Sequence, residues 1–340
     1  MNILVTGGAG FIGSNFINYW IDKYPNNQIV NLDLLTYAGD LNNLIDVSSF
    51  KKYHFIKGDI CNRSLVEKLF NEYQFDGVIH FAAESHVDNS IKNPSAFVET
   101  NVNGTFTLLD VARNYWMESA GVYKKEFKDA RFHHISTDEV YGSLGSEGYF
   151  TESASYAPNS PYSASKAASD MLVRSYYHTY GMNVVTTNCS NNFGPMQNSE
   201  KLIPTIIRKA KNFESIPIYG TGMNIRDWLF VEDHCMAIDL VFSKGRAGDT
   251  YLIGGNNEKT NLEIVKEICF ILDAQFKEEL TKRSMKSFYE LVTLVEDRVG
   301  HDFRYAIDAT KIKNELNWKP SNDFKKNLKK TIDFYIRKDS

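Results

Sequence analysis

The sequence predicts an α/β fold: a doubly wound parallel sheet joined to a smaller, mostly helical domain. Three observations carry this. Short β-branched runs alternate with helix-spaced segments over the first 190 residues, which calls for right-handed crossovers onto a parallel sheet. A glycine-rich turn, "TGGAGFIGS", follows the first run at once. Beyond residue 190 the rhythm gives way to long polar connections and helices.

In order, "NILVTG" reads as a buried strand and "GFIGSNFINYWIDKY" as a helix. "QIVNLD" (28–33) is a strand ending in an acid, and "KYHFIKGD" (52–59) a third strand before a helix at 63–73. "GVIHFAA" (77–83) ends in small residues, as a strand must where something packs against its tip. A helical stretch covers about 95–117, "FHHISTD" is a strand, "SKAASDMLVRSYYHTY" a helix and "NVVTTNC" a strand. Then "NNFGPMQNSEKLIP" is polar and long for a connection, a property of binding loops. "LIPTIIRKA" reads as a helix, "IPIYG" as a short strand, "VEDHCMAIDLVFSK" as a helix and "DTYLIGG" as one more sheet strand. Residues after 256 read as mostly helical, with "FRYAID" a short strand. This organisation puts a nucleotide-binding domain at 1–190, with 227–255 returning to its sheet, and a second domain at 191–226 and 256–340.

Composition excludes several functions. A net charge of −4 offers no basic surface to nucleic acid or to an acidic membrane. No apolar run approaches a membrane span, and the amino terminus lacks the pattern of a signal peptide. Cys61, Cys189, Cys235 and Cys269 are widely spread, as expected of reduced thiols in a cytoplasmic protein. No spacing of His, Cys and carboxylates suggests a metal centre.

Gly7, Gly10 and Gly13 sit between the first strand and first helix. Missing side chains there permit a tight turn, close approach of a pyrophosphate and close helix packing, and the helix start at Phe11 and Ile12 offers unpaired amides to phosphates. This is the Rossmann arrangement. Asp33 ends the second strand, where a carboxylate accepts ribose hydroxyls and repels a 2′-phosphate; the cofactor expected is NAD rather than NADP. Asp59 and Ile60 are candidates for adenine, with a helix cap and a core isoleucine as the bland alternatives. Ala82 and Ala83 are small where the fourth strand would pass the cofactor, a smallness that core packing also explains.

"ISTDEVYG" (135–142) places Thr137, Asp138 and Glu139 side by side at a strand end. Twenty-five residues later Tyr162 and Lys166 stand four apart, on one face of a helix. A tyrosine is a poor base at its ordinary pKa near 10; a lysine cation and a nicotinamide cation would favour its phenolate, with Thr137 steadying the same alcohol. Two adjacent carboxyls in a dry site couple, so that one holds its proton. The alternative is a helix-capping Asp138 and a solvent-facing Glu139.

"TGGAGFIG", "AAESHVDNSI", "STDEVYG", "PYSASKA", "NNFGP", "EKLIP", "NIRDWLFVEDH" and "GHDFRYAID" occur in that order. Together they resemble the extended short-chain dehydrogenase/reductase family, and within it the nucleotide-sugar 4,6-dehydratases acting on dTDP-glucose. The resemblance implies oxidation at sugar C4 with Tyr162 as base, removal of the C5 proton by Glu139, protonation of the C6 hydroxyl by Asp138, and hydride return to C6. It implies nucleotide-sugar contacts from Ser85, His86, Thr137, Asn192, Lys201, Leu202, Tyr219 (against the base), Arg226 and Arg304 (on phosphates), a less defined place for His301, and a homodimer formed by helices near 100–116 and 163–178. An Arg226–Asp227 ion pair, a core Tyr219 and a core His86 are the bland readings. Phe193 stands where the family has tyrosine, Val299 where it has proline, and Met196 where a larger or more polar residue is common. These departures leave UDP- or CDP-glucose open as substrates, and a 4-epimerase or a catalytically silent NAD-binding scaffold as more distant rivals.

Overall fold

The computed structural model describes residues 1–297, 300–321 and 323–338; Val299, singled out above, lies outside them. Seven parallel strands form the main sheet, in the spatial order Thr250–Ile253, Val184–Cys189, Arg131–Thr137, Gly77–His80, Asn2–Thr6, Gln28–Asp33 and Tyr53–Lys57. The strand order reverses between Asn2–Thr6 and Gly77–His80, where Thr6 pairs with both Leu32 and His80. Such a switch point opens a crevice at the carboxyl ends of the strands.

Alternation along each strand sends side chains to two cores. Leu4, Val30, Leu32 and Val78 face one side with Val66, Leu69 and Phe70 of helix Arg63–Tyr73 and Leu108, Leu109 and Trp116 of helix Thr105–Trp116. Ile3, Val5, Ile29 and Ile79 face the other, against Phe16, Ile17 and Trp20 of helix Phe11–Lys23 and Ile238 and Phe242 of helix Val231–Lys244.

The helical stretch expected near 95–117 is not uniform. Between Pro94–Phe97 and Thr105–Trp116 it widens into a π turn at Val98–Gly104. Asn101 in that turn donates to Glu84 O (3.0 Å) and Ser165 Oγ (2.8 Å) and accepts from Glu84 N (2.8 Å). Its carbonyl accepts from Thr105 Oγ1 (2.6 Å) and Ser169 Oγ (2.7 Å). Side-chain insertion of this kind explains the widened ladder, and such turns gather at functional sites.

The second region has its own core of Ile203, Ile206 and Ile207 from helix Leu202–Lys211, Ile264, Val265 and Ile268 from helix Asn261–Gln275, and Phe193, Trp228 and Phe230. Phe193 is fully enclosed there, 5.5 Å from Phe230 and 5.1 Å from Phe324 between ring centres, so its lack of a hydroxyl suits its surroundings. Strand Asn191–Phe193 pairs in parallel with Ile225–Phe230, which pairs antiparallel with Glu258–Thr260. The crossing back to the main sheet, expected from 227, therefore falls at Val231, because Asp227 to Phe230 remain in this small sheet. Ile216–Tyr219 pairs with Val292–Val295, a strand not expected from the sequence. "FRYAID" makes only isolated bridges, Arg304 to Leu144 and Ile225 and Ile307 to Phe150, which fasten the second region to the loop after Thr137.

Phe70 is fully buried and meets Phe75 edge-on, with ring centres 5.1 Å apart. Phe70→Ala is expected to cost about 3–5 kcal/mol in denaturant unfolding, since the cavity lies between sheet and helix layers that cannot collapse freely.

Candidate active site

A cleft of about 310 Å³ opens at the carboxyl ends of the strands, walled from Gly7 round to Lys201. The glycine turn forms one wall. Gly7 has φ +70°, and a Cβ there would lie 2.6 Å from the backbone of Ala82. A Cβ on Gly13 would stand 2.4 Å from Gly7 O. Helix Phe11–Lys23 starts at Gly10 with no side-chain cap, so the amides of its first turn face the cleft unpaired. Asp33 steadies this turn: Oδ2 accepts from Ala9 N (2.9 Å) and Oδ1 from Leu35 N (2.8 Å). Each oxygen keeps a further lone pair toward the cleft. Asp59 braces its own loop by accepting from Cys61 N (2.8 Å), while Ile60, Ala82, Ala83 and Ser85 line the wall. The strand before them ends at His80, earlier than expected, where Ala82 meets Gly7.

The opposite wall begins where strand Arg131–Thr137 runs out. Thr137 caps a tight turn over Asp138–Tyr141 by accepting from Glu139 N (3.3 Å). The cap is thus Thr137, not Asp138. Asp138 is only 2% exposed, and its Oδ2 is buried without a hydrogen-bond partner. Burial pushes its carboxyl well above the usual range, helped by the nearby charges of Glu139 and Asp227 and opposed by Arg226 and Thr137. Burial thus favours the protonated form of Asp138 over the carboxylate.

Tyr162 and Lys166 share one face of helix Pro161–Tyr180, started by a Ser160–Ser163 capping box. Burial, with Glu139 and Cys189 nearby, raises the Tyr162 phenol well above its usual value, while Thr137 pulls it back. Unaided, this phenol stays protonated. Lys166 Nζ donates to Ile135 O (2.8 Å) and stands 3.4 Å from His134 Nε2. Burial lowers it to about 8, and Asp170 and Cys189 hold it up.

Asn192 Nδ2 donates to Ser190 O (2.9 Å) and Cys189 Sγ (3.3 Å), and its Oδ1 lies 2.9 Å from His234 Nδ1. Lys201 Nζ donates to Ser85 O (3.4 Å) across the cleft, next to Leu202 at the start of its helix. A strap before it joins the two lips: Asn15 Nδ2 donates to Pro195 O (3.0 Å) and Asn198 Nδ2 to Tyr37 O (3.3 Å). Met196 lies in this strap with φ +69° and accepts from Ser14 Oγ (3.5 Å).

His86, Leu202, Tyr219, Arg226 and Arg304 stand outside the wall of this cleft. His86 Nδ1 accepts from Asn89 N (3.4 Å), capping a short helix, and its Nε2 lies 3.7 Å from Glu200. Tyr219 is 42% exposed rather than core. Arg226 donates to the carbonyls of Ile225 (2.7 Å), Asp302 (2.9 Å) and Phe303 (3.2 Å) and lies over the Tyr305 ring. Neighbouring Asp227 accepts from Gly255 N (2.8 Å) and Asn257 N (2.7 Å). Arg304 grips Glu258 through Nε (2.6 Å) and Nη2 (2.9 Å). His301 pairs with Asp297 (2.6 Å). Sequence reasoning missed Cys189, Glu84 and Glu200 in the wall. Cys189 had a usable signal, since it ends the strand paired in register with Thr137. Among the described residues no cluster of three His, Cys, Asp or Glu could hold a metal ion, and no helix is long and apolar enough to cross a membrane.

A parallel sheet with a glycine turn at its switch point, a Tyr–Lys helix, and a buried Asp138 carboxyl beside half-buried Glu139 at one rim defines a nucleotide-dependent enzyme of the extended short-chain dehydrogenase/reductase class. More particularly, the chain belongs to the GDP-mannose 4,6 dehydratase family, whose sequence pattern matches residues 4–331. It is 52% identical to dTDP-glucose 4,6-dehydratase of Xanthomonas campestris pv. campestris (strain B100), over 98% of this chain and 92% of that one. The crystal structure of dTDP-glucose 4,6-dehydratase from Bacillus anthracis str. Ames in complex with NAD is 45% identical, with a TM-score of 0.84 over 99% of this chain and 97% of that one. DesIV, the Streptomyces venezuelae dTDP-glucose 4,6-dehydratase with NAD bound, is 42% identical, with a TM-score of 0.87 over the same shares.

Two outcomes follow from this geometry. A carboxyl whose folded pKa exceeds its unfolded one stabilises the fold fully below the unfolded pKa, and that contribution is lost as pH rises to the folded pKa. Asp138→Asn removes the loss, so its stability relative to the unaltered chain should increase steadily from about pH 4 upward, read by urea unfolding across pH. Gly13→Ala forces the turn open at Gly7 O, and should weaken NAD binding at least about tenfold by calorimetry while the fold persists.

Proposed function

We propose that the chain converts dTDP-glucose to dTDP-4-keto-6-deoxyglucose and water, using bound NAD. The observation that carries this reading is the Asp138 carboxyl, buried with Oδ2 unpartnered next to Glu139, in the same cleft wall as Tyr162. An epimerase needs the phenol but has no use for an acid–base pair.

The glycine cradle fits a dinucleotide, because its close approaches leave no room for Cβ atoms and its helix start presents unpaired amides. Gly7, Gly10, Phe11, Ile12 and Gly13 would hold the pyrophosphate, Asp33 the adenosine ribose, Asp59 and Ile60 the adenine, and Ala82 and Ala83 the passing backbone. When bound, NAD supplies an acceptor for the C4 hydride and a donor for its return to C6. Tyr162 takes the proton of the C4 hydroxyl, with Thr137 orienting that oxygen. Its raised phenol can do so only with positive charge close by, which is the role of Lys166 beside the nicotinamide. With C4 a ketone, the C5 hydrogen becomes acidic and Glu139 removes it. Asp138 gives its proton to the departing C6 hydroxyl, and water leaves. After C6 receives hydride, Glu139 returns a proton to C5.

Holding the intermediate through both transfers asks for binding energy far from the reacting carbons. Residues 1–190, with the return of 231–255, form the NAD domain in this reading; 191–230 and 256–340 grip the nucleotide. Ser85, Asn192 and Lys201 in the cleft wall, with His86 and Leu202 next to it, would contact the sugar and diphosphate, and Tyr219 offers an exposed ring to the base. Arg226 and Arg304 must loosen present partners to reach phosphates. Val98, Phe106 and Met171 are exposed apolar residues on the helices named for a homodimer, and support that assembly. Four free cysteines support a cytoplasmic location.

Incubation with dTDP-, UDP- and CDP-glucose, followed by NMR of the products, tests the reading. The thymidine sugar should be converted fastest, with the C4 hydrogen recovered at C6. Conversion of the uridine sugar alone would overturn the substrate, and a 4-epimer product would overturn the chemistry. Glu139→Gln should lower kcat by roughly 10²–10⁴-fold, the usual contribution of a general base, and abolish solvent exchange at C5.

A further inference from the structure

One buried acid close to the reacting groups has no part in the steps above. Asp170 follows Lys166 by one helical turn, as Lys166 follows Tyr162, and is 4% exposed. Its Oδ1 lies 3.1 Å from His134 Nε2, the same nitrogen that stands 3.4 Å from Lys166 Nζ. Its Oδ2 accepts from Tyr156 OH (2.9 Å) and Asn188 Nδ2 (2.9 Å), and Asn188 Nδ2 also donates to Thr137 O (3.0 Å). One nitrogen cannot both accept from the lysine and donate to the carboxylate, so the imidazole lies between the two charges as a spacer, while Asn188 ties the carboxyl to the strand end that carries Thr137.

We propose that Asp170 is the internal counter-charge of Lys166, a positioning residue that keeps the lysine cationic inside the sheet–helix interface and so available to draw the Tyr162 phenol toward phenolate. A lysine only 4% exposed would shed its proton without a nearby anion. The groups facing it are few. Its own helix brings Tyr162 and Asp170; strand Arg131–Thr137 brings neutral His134, and the turn beyond it brings Asp138, whose burial favours its protonated form, and the Glu139 carboxylate. Strand Val184–Cys189 brings the Cys189 thiol, raised to about 12 and hence neutral, and strand Gly77–His80 brings neutral His80. Asp170 is held below the usual carboxylate range despite burial, by His134 and Lys166. It is the anion on the lysine's own helix, carried with it as one rigid unit. The effect on catalysis rests on the dehydratase reading; the charge pairing does not.

The test has two arms. In the first, Asp170→Asn keeps the shape and removes the charge. The alkaline limb of kcat/KM for dTDP-glucose should move down by about one to three pH units, with activity at pH 8.5 falling at least about tenfold more than activity at pH 6. Tyr156→Phe, which deletes one hydrogen bond to the same carboxyl and keeps its charge, should leave both limbs in place. Unmoved limbs in Asp170→Asn, or an equal shift in Tyr156→Phe, would overturn the role. The second arm needs no turnover. Lys166→Met strands the carboxylate, so Lys166→Met/Asp170→Asn should melt at a higher temperature than Lys166→Met alone. If the second substitution fails to raise the melting temperature, or abolishes folding, the pairing is wrong whatever sugar the chain transforms. A higher melting temperature, with the unaltered chain inactive toward all three sugars, would instead fault the dehydratase reading and leave the pairing intact.

Discussion

Removal of water from the strand ends is the constraint on which the rest of the structure depends. Asp138, Tyr162 and Lys166 carry three different ionisable groups, and burial drives each toward its neutral form. In solvent, the aspartic acid would be ionised and unable to donate. Withdrawn into the sheet edge, its carboxyl is shifted toward the protonated form by burial itself. The same withdrawal works against the phenol and the lysine. Those two need compensation, and the sheet and helix supply it locally through Thr137 and Asp170. One physical effect therefore favours the protonated carboxyl of Asp138 and leaves ionisation of the Tyr162 phenol conditional on nearby charge.

That burial is possible only because main-chain geometry is settled first. The switch point fixes where the cleft opens, and Gly7 fixes how closely the first turn can approach Ala82. The π turn at Val98–Gly104 then lets Asn101 tie the loop after the fourth strand to the helix bearing Tyr162 and Lys166. Cofactor wall and proton-handling wall are held at a set distance by one amide. Fold and chemistry meet at that side chain.

Much of this was legible in the sequence where the requirement is local. The glycine turn, the acid ending the second strand and the Tyr–Lys spacing each follow from backbone or helix geometry over a few residues. Which of the two carboxyls is pushed toward its protonated form was not, because that turns first on how deeply Asp138 is buried and only then on Glu139 and on Asp227, which arrives from another sheet. The present partners of Arg226 and Arg304 were equally hidden: Asp302 lies 76 residues from Arg226, and Glu258 lies 46 from Arg304. The π turn escaped because its cause is a side chain reaching Glu84 and Ser165, while the local pattern reads as ordinary helix. Position 227 misled as a crossing point since an apolar strand carries no mark of which sheet it will join.

The strap through Pro195, Met196 and Asn198 has a kinetic consequence. It stitches helix Phe11–Lys23 and the loop at Tyr37 to the far lip, so a dinucleotide bound beneath it would depart only after those bonds part. Such a molecule would act as a resident prosthetic group rather than a shuttling co-substrate. A chemical cycle that ends with its carrier in the oxidation state in which it began asks for that arrangement, and frees the enzyme from any external partner for reoxidation.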